Sequence, residues 1–146
     1  MDQKSFYIDS CIYLNLWQKE SDEKSGVAYW KLAKEFFEKI EDECAIIYYS
    51  GYLLKELSFI LEKGTFNKKL QIFNNSPNFI RAKLSLIEFN LARSIEKKSN
   101  YEISFFDIIH MLLAKKTNSI LITRDKKLIE ISKKYNVIAK TPEEIL

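Results

Sequence analysis

Short apolar runs set between helical patterns constrain this chain more than any other feature. The runs at residues 5–8, 44–49 and 120–123 are too brief for helices and rich in β-branched and aromatic side chains. A still shorter run covers residues 137–139. None alternates between apolar and polar residues, so each strand needs cover on both faces. Glycine (3) and proline (2) are scarce, which disfavours a loop-rich all-β fold.

The intervening segments read as helices. Tyr13, Leu14 and Trp17 begin one, interrupted by the polar stretch 18–26. Residues 27–41 place Trp30, Ala33, Phe37 and Ile40 on one face. Residues 52–62 are helical through Leu53, Leu57, Ile60 and Leu61, with Gly64 as the stop. Residues 66–73 form a shorter helix. Ser76-Pro77 opens a long one, with a stripe of Ile80, Leu84, Ile87, Leu91 and Ile95 ending near residues 97–100. Ser104 caps a helix that buries Phe105, Ile108, Ile109 and Leu112. Residues 126–134 make another, and residues 141–144 a capped terminal turn. Strands alternating with helices predict parallel pairing through crossovers, hence one three-layer α/β domain spanning residues 1–146. Its central sheet should be short and parallel, with four or five strands.

A net charge of +3, from 23 basic against 20 acidic residues, permits a nucleic-acid partner without showing one. Cys11 and Cys44 form no CxxC pair, and His110 is the one histidine, which argues against a zinc site. Free thiols suit a reducing cytoplasm. No secretory h-region is present, and no apolar run approaches the roughly 20 residues that span a bilayer. The expectation is a cytoplasmic protein away from membranes.

Four carboxylates then stand out. Asp9 and Asp125 close the first and third strands; Glu56 and Asp107 sit within strongly apolar helical patterns. Each has an ordinary reading: Asp9 and Asp125 as helix N-caps, Asp107 as half of a capping box with Ser104, Glu56 as a solvated helix residue. Together they fall where parallel sheets bind ligands, beyond the carboxyl ends of the strands. Converging carboxylates suit a hard cation such as Mg²⁺ or Mn²⁺. Such an ion polarises a phosphoryl oxygen and screens a phosphodiester. Beside them, Arg124, Lys126 and Lys127 are candidates to hold phosphates. Lys115 and Lys116 suit a helix C-terminus whatever the function. Tyr48, Tyr49 and Tyr52 read as core, and His110 as a hydrogen-bonded structural residue.

Four segments also resemble PIN domains, in the same order: Phe6-Tyr7-Ile8-Asp9-Ser10, Leu53-Leu54-Lys55-Glu56-Leu57, Phe106-Asp107-Ile108-Ile109-His110-Met111-Leu112-Leu113-Ala114 and Ile120-Leu121-Ile122-Thr123-Arg124-Asp125-Lys126-Lys127-Leu128. The close, Val137-Ile138-Ala139-Lys140-Thr141-Pro142-Glu143-Glu144, is similar too. The resemblance implies a metal-dependent ribonuclease of VapC toxin type, with Asp9, Glu56, Asp107 and Asp125 as the acidic metal site. Ser10 and Thr123 match supporting hydroxyl positions. Implied partners are RNA, an antitoxin and a second copy of the chain. One departure stands: many members carry a further acid after the last aspartate, where this chain has Lys126 and Lys127. A PIN-like module that binds RNA or protein and cuts weakly is therefore the alternative. A haloacid-dehalogenase-type phosphatase would need an aspartate where Cys11 stands. The paired acids and late lysine of a phospho-receiver domain are not evident.

Overall fold

A computed structural model describes residues 3–146. The first strand, β1 (Ser5–Ile8), leads into α1 (Ser10–Trp17) and α2 (Tyr29–Asp42), then β2 (Ile46–Tyr49). Next come α3 (Gly51–Ile60), α4 (Lys63–Asn75) and β3 (Phe79–Arg81). The chain continues through α5 (Leu86–Lys98), α6 (Phe105–Lys116), β4 (Ile120–Ile122), α7 (Lys126–Lys134) and β5 (Ala139–Lys140). A 3₁₀ turn at Pro142–Glu144 follows. The five strands form one sheet, ordered β3-β2-β1-β4-β5, and every pairing is parallel.

Both faces of the sheet are covered, as the unalternating strands required. In β1, Phe6 and Ile8 enter a core with Ile12, Phe36, Ile40, Leu53 and Phe73, while Tyr7 points to the opposite core with Ile108, Met111 and Leu121. The two-residue period of a strand thus feeds two cores from one apolar run. On the first face, Phe6 meets Phe36 edge-on, with centroids 5.6 Å apart at 86°.

The sheet order creates a switch point. From β1 the chain moves outward to β2 and β3, then returns to lay β4 against the other side of β1. The crevice between the carboxyl ends of β1 and β4 is where such sheets place ligands.

Several sequence expectations are corrected. Ser76-Pro77 opens no helix. Residues Phe79–Arg81 form β3 instead, because the open edge of β2 offers a ladder that pairs Ile47 with Phe79 and Tyr49 with Arg81. The following helix starts at Leu86 behind a reciprocal capping box: Ser85 Oγ accepts from Glu88 N–H (3.2 Å), and Glu88 accepts from Ser85 N–H (2.9 Å). Of the anticipated stripe, Ile95 is buried, whereas Ile87 is 81% exposed; Ala92 is buried as well. Gly64 stops nothing: α3 ends at Ile60, the extended Leu61 turns the chain, and Gly64 lies in the first turn of α4. On α2 the buried residues are Ala33, Phe36 and Ile40, so the inward face is rotated away from Trp30. The last strand lies at Ala139–Lys140, later than residues 137–139, because Leu121 and Ile122 pair there.

Candidate metal centre

Asp9 extends the β1–β4 ladder by one residue, its N–H donating to Ile122 O at 2.9 Å. It occupies the N-cap position of α1, yet its side chain makes no cap bond. The carboxylate instead accepts from Thr123 Oγ1 (2.7 Å), Cys11 Sγ (3.3 Å) and Ser10 Oγ (3.4 Å), and it is buried. Thr123 Oγ1 in turn accepts from the Asp125 N–H (3.1 Å). Ser10 and Thr123 thus each donate a hydrogen bond to the Asp9 carboxylate. Burial, reinforced by Asp9, pushes the Cys11 thiol well up, so it remains a protonated donor.

Glu56 projects from α3, whose N-cap Ser50 accepts from Leu53 N–H at 3.2 Å. Its carboxylate meets His110 Nε2 from α6 in a direct hydrogen bond. His110 is fully buried; its Nδ1 lies 2.7 Å from Tyr7 OH, which lies 2.6 Å from Ser50 Oγ. One ligand atom each from Asp9, Glu56 and His110 falls within 4.8 Å of the others. Burial works against a charge on this ring, but the Glu56 hydrogen bond and the charges of Glu56, Asp9 and Asp107 outweigh it and raise its pKa.

Asp107 lies one turn before His110, with its N–H donating to Ser104 Oγ (3.1 Å). Burial and then the nearby Asp9 charge push its carboxyl up to about 7; His110 and Ser104 oppose the shift, and Glu56 adds to it. Carboxylates this crowded are the environment that a divalent cation relieves.

The remaining sequence candidates lie differently. Asp125 is exposed and caps α7, its Oδ1 accepting from Lys127 N–H (2.9 Å) and Leu128 N–H (3.3 Å). Among the described residues it stands outside the Asp9–Glu56–His110 group. Arg124 turns inward: Nε donates to Asn15 Oδ1 (3.0 Å), Nη1 to Glu143 Oε2 (2.8 Å), and its guanidinium lies 4.0 Å from the Tyr29 ring centroid. That engagement with Asn15, Glu143 and Tyr29 is what the structure gives it. Lys126 and Lys127 are exposed. Tyr49 lies in the core with Phe36 and Phe73, while Tyr48 and Tyr52 pack against the opposite core.

Tyr7 and Ser50 escaped sequence reasoning. The available signal was a tyrosine inside a buried strand, since a buried phenol needs a hydrogen-bond partner.

A model of the PIN domain family matches residues 6–134, most of the chain and both strands of the crevice. The chain belongs to the PIN domain family. PIN domains are generally metal-dependent nucleases, and the carboxylates gathered here fit that chemistry. This PIN domain is similar in fold to the FitAcB crystal structure from Neisseria gonorrhoeae, with a TM-score of 0.61, 14% identity, and coverage of 94% of this chain and 98% of that one. VapBC2 from Rickettsia felis, bound to a DNA fragment from its promoter, gives a TM-score of 0.59, 18% identity and coverage of 94% and 98%. A domain of a functionally unknown protein from Methanocaldococcus jannaschii gives 0.57, 17% identity and coverage of 94% and 90%. No curated protein sequence matches the chain.

The raised Asp107 has a measurable consequence. A carboxyl whose folded pKa exceeds its unfolded value of 3.8 stabilises the fold below that value, and this contribution is lost as pH rises through about 7. The metal-free protein should therefore melt at lower temperature as pH climbs from about 5 to about 8 through this group. A cation that takes Asp107 as a ligand would have to displace the same proton, and Mn²⁺ affinity would then rise about tenfold between about pH 6 and pH 8. Calorimetric titrations at the two pH values check this; equal affinities would contradict it.

Proposed function

We propose that this PIN domain is a Mg²⁺- or Mn²⁺-dependent endoribonuclease, the toxin of a toxin–antitoxin pair. The observation that carries the reading is the meeting of Asp9 and Glu56, within the field of Asp107, at the switch point of the sheet. Asp9 and Glu56 would hold the ion, joined by Asp107 once its proton leaves. Asp125, beside Thr123, is the outermost acid of the set. When bound, the ion supplies Lewis-acid polarisation of a phosphoryl oxygen and screens the phosphodiester charge. Thr123, Ser10 and Cys11 keep the Asp9 carboxylate in place through their hydrogen bonds. Lys126 and Lys127, exposed at the start of α7, attract the RNA backbone. Arg124 supports that edge from behind through Glu143 and Asn15.

Purified protein should cut single-stranded RNA with Mg²⁺ or Mn²⁺, stop when EDTA removes the ion, and recover when Mn²⁺ is restored. One observation favours the binding-module reading instead: Asp125 is exposed, committed to capping α7, and followed by two lysines. RNA that is bound but left intact with either metal would establish that reading and overturn the nuclease.

The FitAB structure bound to the IR36 DNA fragment and the promoter-bound VapBC2 structure support an antitoxin as partner. A second copy of the chain is the other partner. Its contact surface is α5, where Leu86 is 75% and Ile87 81% exposed, with Leu91 one turn on. Adjacent apolar side chains open to water mark a contact surface better than scattered ones do. Wild-type protein should sediment as a dimer and Ile87→Asp as a monomer; a monomeric wild type would refute the dimer. No helix among the described residues is long and apolar enough to cross a membrane, in keeping with action on cytoplasmic RNA.

A further inference from the structure

We propose that Tyr7 and His110 are positioning residues that aim Glu56 at the ion, with His110 gripping the Glu56 carboxylate and staying out of the coordination sphere. This rests on the reading of Asp9 and Glu56 as a metal site.

The separation of their atoms alone would let His110 serve as a third ligand beside Asp9 and Glu56. Its surroundings argue otherwise. The ring is fully buried and both nitrogens are engaged, Nε2 with Glu56 and Nδ1 with Tyr7 OH at 2.7 Å. To bind an ion through Nε2, the ring would have to give up the carboxylate that is itself the better ligand for an oxygen-preferring cation. The hydrogen bonds behind the ring support the arrangement as it stands. Ser50 Oγ accepts from Leu53 N–H at 3.2 Å and shares a hydrogen bond with Tyr7 OH at 2.6 Å. Tyr7 OH in turn shares a hydrogen bond with His110 Nδ1, and His110 Nε2–H donates to Glu56. Every nitrogen and hydroxyl in this series thus has a partner, whichever protonation state the ring takes.

The chain also joins the elements that deliver the acids. Tyr7 lies on β1 two residues before Asp9, Ser50 caps the helix that carries Glu56, and His110 follows Asp107 on α6. Hydrogen-bond partners behind metal ligands orient them, and their loss weakens metal affinity about 10- to 100-fold.

The test is Mn²⁺ binding by full-length wild type, Tyr7→Phe, His110→Ala and His110→Gln, with thermal melts alongside. His110→Ala should bind Mn²⁺ about 10- to 100-fold more weakly. His110→Gln, whose amide N–H can replace Nε2–H, should recover part of the loss. Tyr7→Phe removes one oxygen and keeps the ring; it should weaken binding several-fold, and it carries the test if His110→Ala does not fold. Electron spin-echo spectra of bound Mn²⁺ should show no directly coordinated nitrogen. Nitrogen coordination, or wild-type affinity in folded Tyr7→Phe, would overturn the proposal. Wild type that binds Mn²⁺ but leaves RNA intact would sink the nuclease reading and leave this one standing. No Mn²⁺ binding by wild type would overturn both.

Discussion

Asp9→Asn should cut RNA at least about a thousandfold more slowly than wild type at saturating Mn²⁺. An ion held at such a site contributes several kcal/mol to the transition state, and each ~1.4 kcal/mol is a factor of about ten in rate. Stability should move the other way. The asparagine Oδ1 can still accept from Thr123 Oγ1, the volume is unchanged, and one negative neighbour of Asp107 disappears. The melting temperature of the metal-free variant is therefore expected to hold or rise. Gel-resolved RNA cleavage and thermal unfolding on the same preparation check both halves. Activity within about tenfold of wild type would remove Asp9 from the centre of the chemistry.

Phe36→Ala should cost about 3–5 kcal/mol of stability. Phe36 is fully buried, meets Phe6 edge-on and lies 5.5 Å from Phe37, centroid to centroid. Truncation leaves a void under β1, the strand that ends at Asp9. Urea unfolding measures the loss; a change below about 1 kcal/mol would mean that the core closes over the gap. Because the void sits beneath the site's own strand, Mn²⁺ affinity of the folded fraction should fall too.

Legibility in the sequence followed the range of the interaction. Helix α7 matches its expected bounds, residues 126–134, because its signals are local: an Asp125 cap in front and an apolar face through Leu128 and Ile131. Strand β1 matched for the same kind of reason, a run too short and too apolar for anything else. The segment 76–85 failed because Ile80, Leu84 and Ile87 share a helical period by coincidence. What decides that segment is the vacant edge of β2, which is distant in sequence. The local clue that outranked the false stripe was the Ser85–Glu88 capping box.

The site divides in the same way. Asp9, Glu56 and Asp107 were visible as acids in apolar settings, an arrangement that needs a partner wherever the chain goes. Arg124, a candidate phosphate ligand beside them, is long enough to reach Glu143 and Tyr29 behind the edge, contacts that no local pattern announced.

The amino-acid order thus settles the class of fold, the strand and helix content near local signals, and the acids from which a site can be built, because period, caps and charge in apolar runs act over a few residues. Tertiary structure alone decides that β1 lies between β2 and β4 and that Glu56 reaches Asp9 with His110 behind it. Those outcomes depend on contacts between residues 43 to 114 positions apart, such as Tyr7 with Ser50 and Thr123 with Asp9. No local pattern encodes which of several distant partners a buried hydroxyl or carboxylate will meet.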